Sequence, residues 1–140
     1  VFIGADIEDR MKRYLENDSI FIFFKTLESL RVENKLHTIN TSKITNDTPK
    51  TDILYSDDYV WIESVNVFAK IKLACQNEGI LFDLSRQELY QKLESEKLLI
   101  TKDNRRSYEY RKGQFRQSVI CLPRNNINRY LTYDKEDIKL

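Results

Sequence analysis

Apolar residues recur at helical spacing in four places along the chain. Ile7, Met11 and Leu15 fall at four-residue intervals and line one face of a helix over residues 6–17. Asp18 and Ser19 then break the pattern and cap the next helix. Ile20, Phe23, Phe24, Leu27 and Leu30 make a wide stripe, predicting a helix over 19–34 that packs against something substantial. Val67, Phe68, Ile71, Ala74 and Cys75 give a third helix over 64–78, with Ser64 as its expected N-cap and Gly79 placed for a left-handed C-cap. A fourth, over 85–96, turns Leu89 and Leu93 inward. It has the best-marked start in the chain: Ser85 and Glu88 form the S-x-x-E pattern whose side chains satisfy each other's free backbone N–H groups.

The strand signals sit between and after these helices. Residues 35–51 are rich in Thr, Asn, Ser and Lys, close at Pro49 and read as a linker or mobile loop, with a weak strand signal over 36–39. Ile53-Leu54-Tyr55 and the run from Tyr59 to Ile62 flank Ser56-Asp57-Asp58, a hairpin pattern of β-branched and aromatic residues around an acidic turn. Ile80-Leu81-Phe82 and the run from Leu98 to Thr101 are short strand candidates. Residues 107–111 and 114–122 read as paired strands with Lys112-Gly113 between them, Gly113 supplying the positive φ of a tight turn. The polar tail from Pro123 holds Ile127, Tyr130 and Leu131 as a last helical turn. The expected division is a helical segment (1–34), a polar loop (35–51), a main domain (52–122) and a tail (123–140). The expected class is α+β, with a small antiparallel sheet.

Composition narrows the functional classes. Of 140 residues, 41% are hydrophobic and 32% charged, as in ordinary globular domains, so a self-supporting core is expected rather than disorder. The net charge of +1 calls for no polyanionic partner in bulk, which leaves any nucleic-acid argument to local clustering. Cys75 and Cys121 lie in no CxxC pair, and His37 is the single histidine. No zinc site is expected, and both cysteines read as small buried hydrophobes in a reducing, cytoplasmic setting, a disulfide being the less favoured reading. No apolar run approaches the ~20 residues of a membrane helix. The chain starts at Val1, as a piece of a longer protein would.

Enzymatic signals are weak. With three glycines and no GxxxxGK[ST], the chain cannot build a phosphate-cradling loop. The serines lack a G-x-S-x-G context and His37 has no visible triad partner. Asp52, Asp57, Asp58 and Glu63 resemble an Mg²⁺-binding acidic patch, but turn aspartates far more often bond to their own backbone. No catalytic residue, cofactor or metal ligand is assigned, and the segment is read as non-enzymatic.

From Ser64 onward the order is helix, short link, capped helix, basic hairpin. This is the layout of a winged helix-turn-helix, in which the helix before the hairpin enters the major groove and the hairpin forms the wing. The outward positions of that helix are expected to be Arg86, Gln87, Tyr90, Gln91 and Lys92, of which Arg and Gln make paired hydrogen bonds to base edges. The hairpin and its approach carry Lys102, Arg105, Arg106, Arg111, Lys112, Arg116 and Arg124 against Asp103 and Glu109, a cluster suited to phosphates. Tyr108, Tyr110 and Phe115 interleave with them, as stacking platforms for unpaired bases do. Against this, charged hairpins are usually solvated surface, and Glu88, Glu94 and Glu96 repel phosphate if they face it. A winged helix also needs a third helix, which only 19–34 can supply.

Residues 48–122 resemble the C-terminal region of AAA+ replicative helicases encoded by phages and mobile elements. The matching pieces are Asp58-Tyr59-Val60-Trp61-Ile62, then Leu89 and the run from Leu93 to Ile100. They continue with Tyr110-Arg111-Lys112-Gly113-Gln114-Phe115-Arg116 and Val119-Ile120-Cys121-Leu122. The resemblance implies a winged-helix-like accessory domain that contacts DNA or orients neighbouring subunits, any ATP hydrolysis lying in a preceding part. The expected partner is DNA, with no membrane. The alternative is a protein-interaction module for helicase subunits or a loader, motivated by the stripe of Ile20, Phe23 and Phe24.

Overall fold

The computed structural model describes residues 18–131. The expected helix over 6–17 therefore lies outside the described residues. Asp18 caps helix α1 (Ser19–Val32), its carboxylate accepting the N–H groups of Ile20 and Phe21 at 2.8 and 3.4 Å. Helix α2 spans Asn66–Asn77 and α3 spans Arg86–Ser95. All three end alike. Asn34, Gly79 and Lys97 adopt positive φ, and the following residue's N–H reaches back to the carbonyl five positions earlier. This is the Schellman closure, which satisfies carbonyls the helix end would otherwise leave bare.

The strands are β1 (Thr38–Asn40), β2 (Ile53–Tyr55), β3 (Tyr59–Glu63), β4 (Ser107–Lys112) and β5 (Phe115–Pro123). They form one sheet of order β1-β2-β3-β5-β4. The α+β class is as expected, but the sheet is larger than foreseen and mixed, because β1 runs parallel to β2. That pairing is long-range. Asp52 accepts the His37 N–H at 2.8 Å while Ile53 donates to the His37 carbonyl at 3.0 Å.

Three other local expectations are corrected. Residues 80–82 find no strand partner. The run from Leu98 to Thr101 makes a single bridge, Ile100 to Cys121. Ser64 does not cap α2; Glu63 does so, its carboxylate accepting the N–H groups of Val65, Asn66 and Val67 at 2.9, 2.5 and 3.1 Å.

The helices cover one face of the sheet. There Ile20, Phe24, Leu27, Ile71, Leu89 and Leu93 meet Ile53, Val60, Ile62, Ile120 and Leu122. Helix α1 packs on both α2 and α3, so it belongs to the same core as residues 52–122 rather than to a separate segment. A short helix α4 (Arg124–Ile127) closes this layer, with Ile127 fully buried and Tyr130 stacked on Phe24 at 5.0 Å.

The opposite face is covered by residues 41–52. Expected as a linker, this segment is instead pinned to the sheet. Ile44 packs with Leu54, Phe115 and Val119, and the Gln117 amide bonds both the N–H and the carbonyl of Thr51.

Candidate nucleic-acid interface

Strand register decides where the basic residues go, because residues directly opposite each other in an antiparallel pair project from the same face. The β4–β5 turn is Gly113-Gln114, one residue later than the sequence suggested, with Gly113 at φ +59° as a type II′ turn requires. Arg111 lies opposite Arg116, and Glu109 opposite Ser118, on the helix-covered side with Ile120 and Leu122. Lys112 lies opposite Phe115, Tyr110 opposite Gln117 and Tyr108 opposite Val119, all on the other side.

Ser64 ties α3 to the helix-covered side. Its hydroxyl meets that of Ser118 at 2.6 Å. Its carbonyl accepts the Tyr90 hydroxyl at 2.7 Å and the Arg86 guanidinium at 3.2 Å. Tyr90, expected to point outward, is thus buried, and burial raises its phenol well above the ordinary range. The capping box is present in full, with Ser85 N–H to Glu88 at 2.9 Å and Glu88 N–H to Ser85 at 3.1 Å. Gln87 and Gln91 stand exposed on the outer face of α3, and Lys92 is half-buried.

The predicted cations therefore divide into two sets. Arg86, Arg111 and Arg116 lie on the helix-covered side. Arg106 bridges to that side by pairing with Glu94 of α3 at 2.9 Å. Arg111 is held by Glu109 at 2.7 Å, both groups largely exposed. Lys112 turns to the other side and donates to the Thr41 carbonyl at 2.6 Å. Lys102 sits 5.1 Å over the Tyr108 ring, and Arg105 lies beside it across a tight turn through Asp103 and Asn104. Arg124 joins neither set; it is buried and locks the β2–β3 turn by donating to the Ser56 carbonyl at 2.8 Å.

Two other assignments change. Phe115 is 3% exposed, so it cannot stack on a base. Ile20, Phe23 and Phe24 are at most 2% exposed, which removes the motive for reading them as a protein-contact stripe. Sequence reasoning missed Trp61, which shares the second side with Tyr108 and donates its indole N–H to the Tyr108 hydroxyl at 3.0 Å. The alternation of Tyr59 and Trp61 with inward Val60 and Ile62 was the available signal. The Asp103-Asn104 turn was legible too, since these residues tolerate positive φ.

The acidic residues near the first hairpin have structural work. Asp52 holds β1 to β2 and approaches Lys70 at 3.5 Å, and Glu63 caps α2. Cys75 and Cys121 are buried and free, on opposite faces of the sheet, and burial pushes the Cys121 thiol up. Among the described residues no helix is long and apolar enough to cross a membrane. Comparison of the sequence with protein-family models and with curated proteins returns no match.

Proposed function

We propose that this chain is a winged-helix-like DNA-binding domain that engages duplex DNA with the helix-covered side of its terminal hairpin and the front of α3. The reading is supported by the order α1, β3, α2, α3, β4, β5, with β5 between β3 and β4, which matches the winged-helix layout once β1 and β2, between α1 and β3, are taken as an insertion. The observation that carries the reading is the pairing of Arg111 directly opposite Arg116, on the side where Ser64 anchors Arg86. Like charges opposite each other destabilise a strand pair, and an anion between them relieves that cost. Glu109 offsets part of it, but an exposed ion pair is worth at most about 1 kcal/mol and exchanges readily for phosphate. Gln87 and Gln91 then face the base edges. The resemblance of residues 48–122 to helicase C-terminal regions fits an accessory role within a longer replicative protein.

The test is a salt titration of duplex binding followed by fluorescence anisotropy. Each lost phosphate contact lowers the slope of log K against log salt by about 0.9. The double variant Arg111→Ser, Arg116→Ser is expected to lower it by nearly two such steps. An unchanged slope overturns the proposal.

A further inference from the structure

The other side of the same hairpin carries the second set of cations in a different setting. Along the outer edge of β4, Trp61, Tyr108 and Tyr110 line an open groove of about 640 Å³ with Lys102 and Arg105, and Asp103 and the Arg111–Glu109 ion pair stand on its rim. The rings are held in place. Trp61 meets Tyr110 edge-on at 5.2 Å, Tyr110 rests against buried Phe115 at 6.2 Å, and Tyr59 continues the row 5.7 Å from Trp61. The indole-to-phenol hydrogen bond fixes Trp61 and Tyr108 relative to each other. Among the described residues, no carboxylate lies within ion-pair distance of Lys102 or Arg105.

Pre-ordered aromatic faces beside two cations, Lys102 and Arg105, with no ion-pair partner among the described residues suit a ligand that is flat, apolar on its faces and anionic at its edge. Unpaired bases joined by phosphates have this chemistry, since every base offers a π-face and the backbone supplies the charge. An acidic peptide satisfies the cations but leaves the rings without a partner. A duplex keeps its bases stacked on each other and offers the rings nothing.

We propose that this groove binds single-stranded nucleic acid, with Trp61 and Tyr110 stacking on unpaired bases and Lys102 and Arg105 contacting the flanking phosphates. Its rings lie on the face opposite the proposed duplex surface, with Arg111 at the border of the two, and its stacking residues and the cations Lys102 and Arg105 take no part in that surface. Together the two faces place paired and unpaired strands on either side of one hairpin.

Trp61 is the single tryptophan of the chain, so its emission reports directly on the groove. Titration of the full chain with a short oligothymidylate is expected to quench it saturably. Tyr110→Ala is expected to weaken binding about tenfold, and Tyr110→Phe to retain it. The double variant Lys102→Glu, Arg105→Glu changes exposed side chains only and is expected to abolish the quench while the circular dichroism spectrum stays unchanged. Arg116→Ser is expected to leave the quench intact while lowering duplex affinity, which separates this site from the duplex surface. An abasic oligonucleotide of equal length supplies the phosphates without the bases. The proposal is overturned if it quenches as well as oligothymidylate, if polyglutamate does so, or if oligothymidylate produces no quench.

Discussion

The two faces of the sheet are built on different principles. Beneath the helices the first face is aliphatic and phenylalanine-rich and water is excluded, while beyond them, toward the hairpin tip, Glu109, Arg111, Arg116 and Ser118 stand exposed. The other face has a small apolar cluster of Ile44, Leu54, Phe115 and Val119, with Trp61, Tyr108 and Tyr110 partly open beside it, and the loop over it is pinned by polar bonds of Gln117 with Thr51, Gln114 with Asn46 and Lys112 with Thr41. Apolar burial scales with area and tolerates no cavity, whereas a polar clamp fails one bond at a time. The first face should therefore carry most of the stability. The second is free to keep rings and cations partly open.

The largest expected effect tests that division directly. Phe24 is fully buried, edge-on to Phe23 at 5.1 Å and stacked on Tyr130. Phe24→Ala is expected to cost about 3–5 kcal/mol in urea denaturation, against well under half of that for Tyr110→Ala, whose ring is partly exposed. Equal losses at the two positions would erase the contrast. Next is the clamp. Gln117→Leu removes an amide that satisfies both backbone groups of Thr51, and leaving them buried without partners costs about 1–3 kcal/mol. Amide hydrogen exchange should quicken first in residues 41–52, while α1 and α3 stay protected. Simultaneous loss of protection everywhere would mean that the loop is part of the main core after all.

A division of the same kind separates the parts of this fold that are legible in the sequence from those that are not. The stripe of α1, the Ser85–Glu88 box, Gly79 and both hairpins are local, because the residues that fix them lie within a few positions of one another. Parallel pairing of β1 with β2 is not local. It rests on Asp52 reaching His37 fifteen positions back, and a polar run such as 35–51 carries no periodicity to reveal that. Residues 80–82 carry a strand composition, yet no neighbouring strand is placed to pair with them. The cluster of basic residues was legible, but not its division. The expected turn sets Arg111 opposite Gln114 and the observed one sets it opposite Arg116, on the same face in both cases. What the pattern does not reveal is which face the helices cover, because Val119, Ile120, Cys121 and Leu122 are apolar on both sides of β5.

A smaller effect comes from the cap of α3, which presents Gln87 and anchors Arg86. Ser85→Ala is expected to cost about 1 kcal/mol. The Glu88 carboxyl is held below its usual range, chiefly by the Ser85 backbone N–H and then by its hydroxyl. A lowered carboxyl stabilises the fold above its unfolded value and ceases to do so as pH falls through the folded one. The difference between wild type and Ser85→Ala should therefore shrink in acid. A difference that is constant from neutral pH to acid would show that the two halves of the box act independently.

The smallest effect is absent at neutral pH and appears only in alkali, where it probes how dry the second face is. Burial, with the neighbouring Cys121 thiol as the next cause, pushes the Tyr108 phenol up to about 12. An unfolded phenol ionises near pH ~10. The folded state thus holds this proton more tightly than the unfolded chain does. The stability linked to it is fully present below pH ~10 and is lost as pH rises from there toward 12. An absorbance titration of phenolate should show Tyr108 ionising late, and the Tyr108→Phe variant should lack that step. Tyr110, raised by burial as well, should also ionise later than a free phenol. If Tyr108 ionises near pH ~10, as a free phenol does, water already reaches the floor of the groove. The rings would then be solvated surface, and the two faces would differ in composition without differing in dryness.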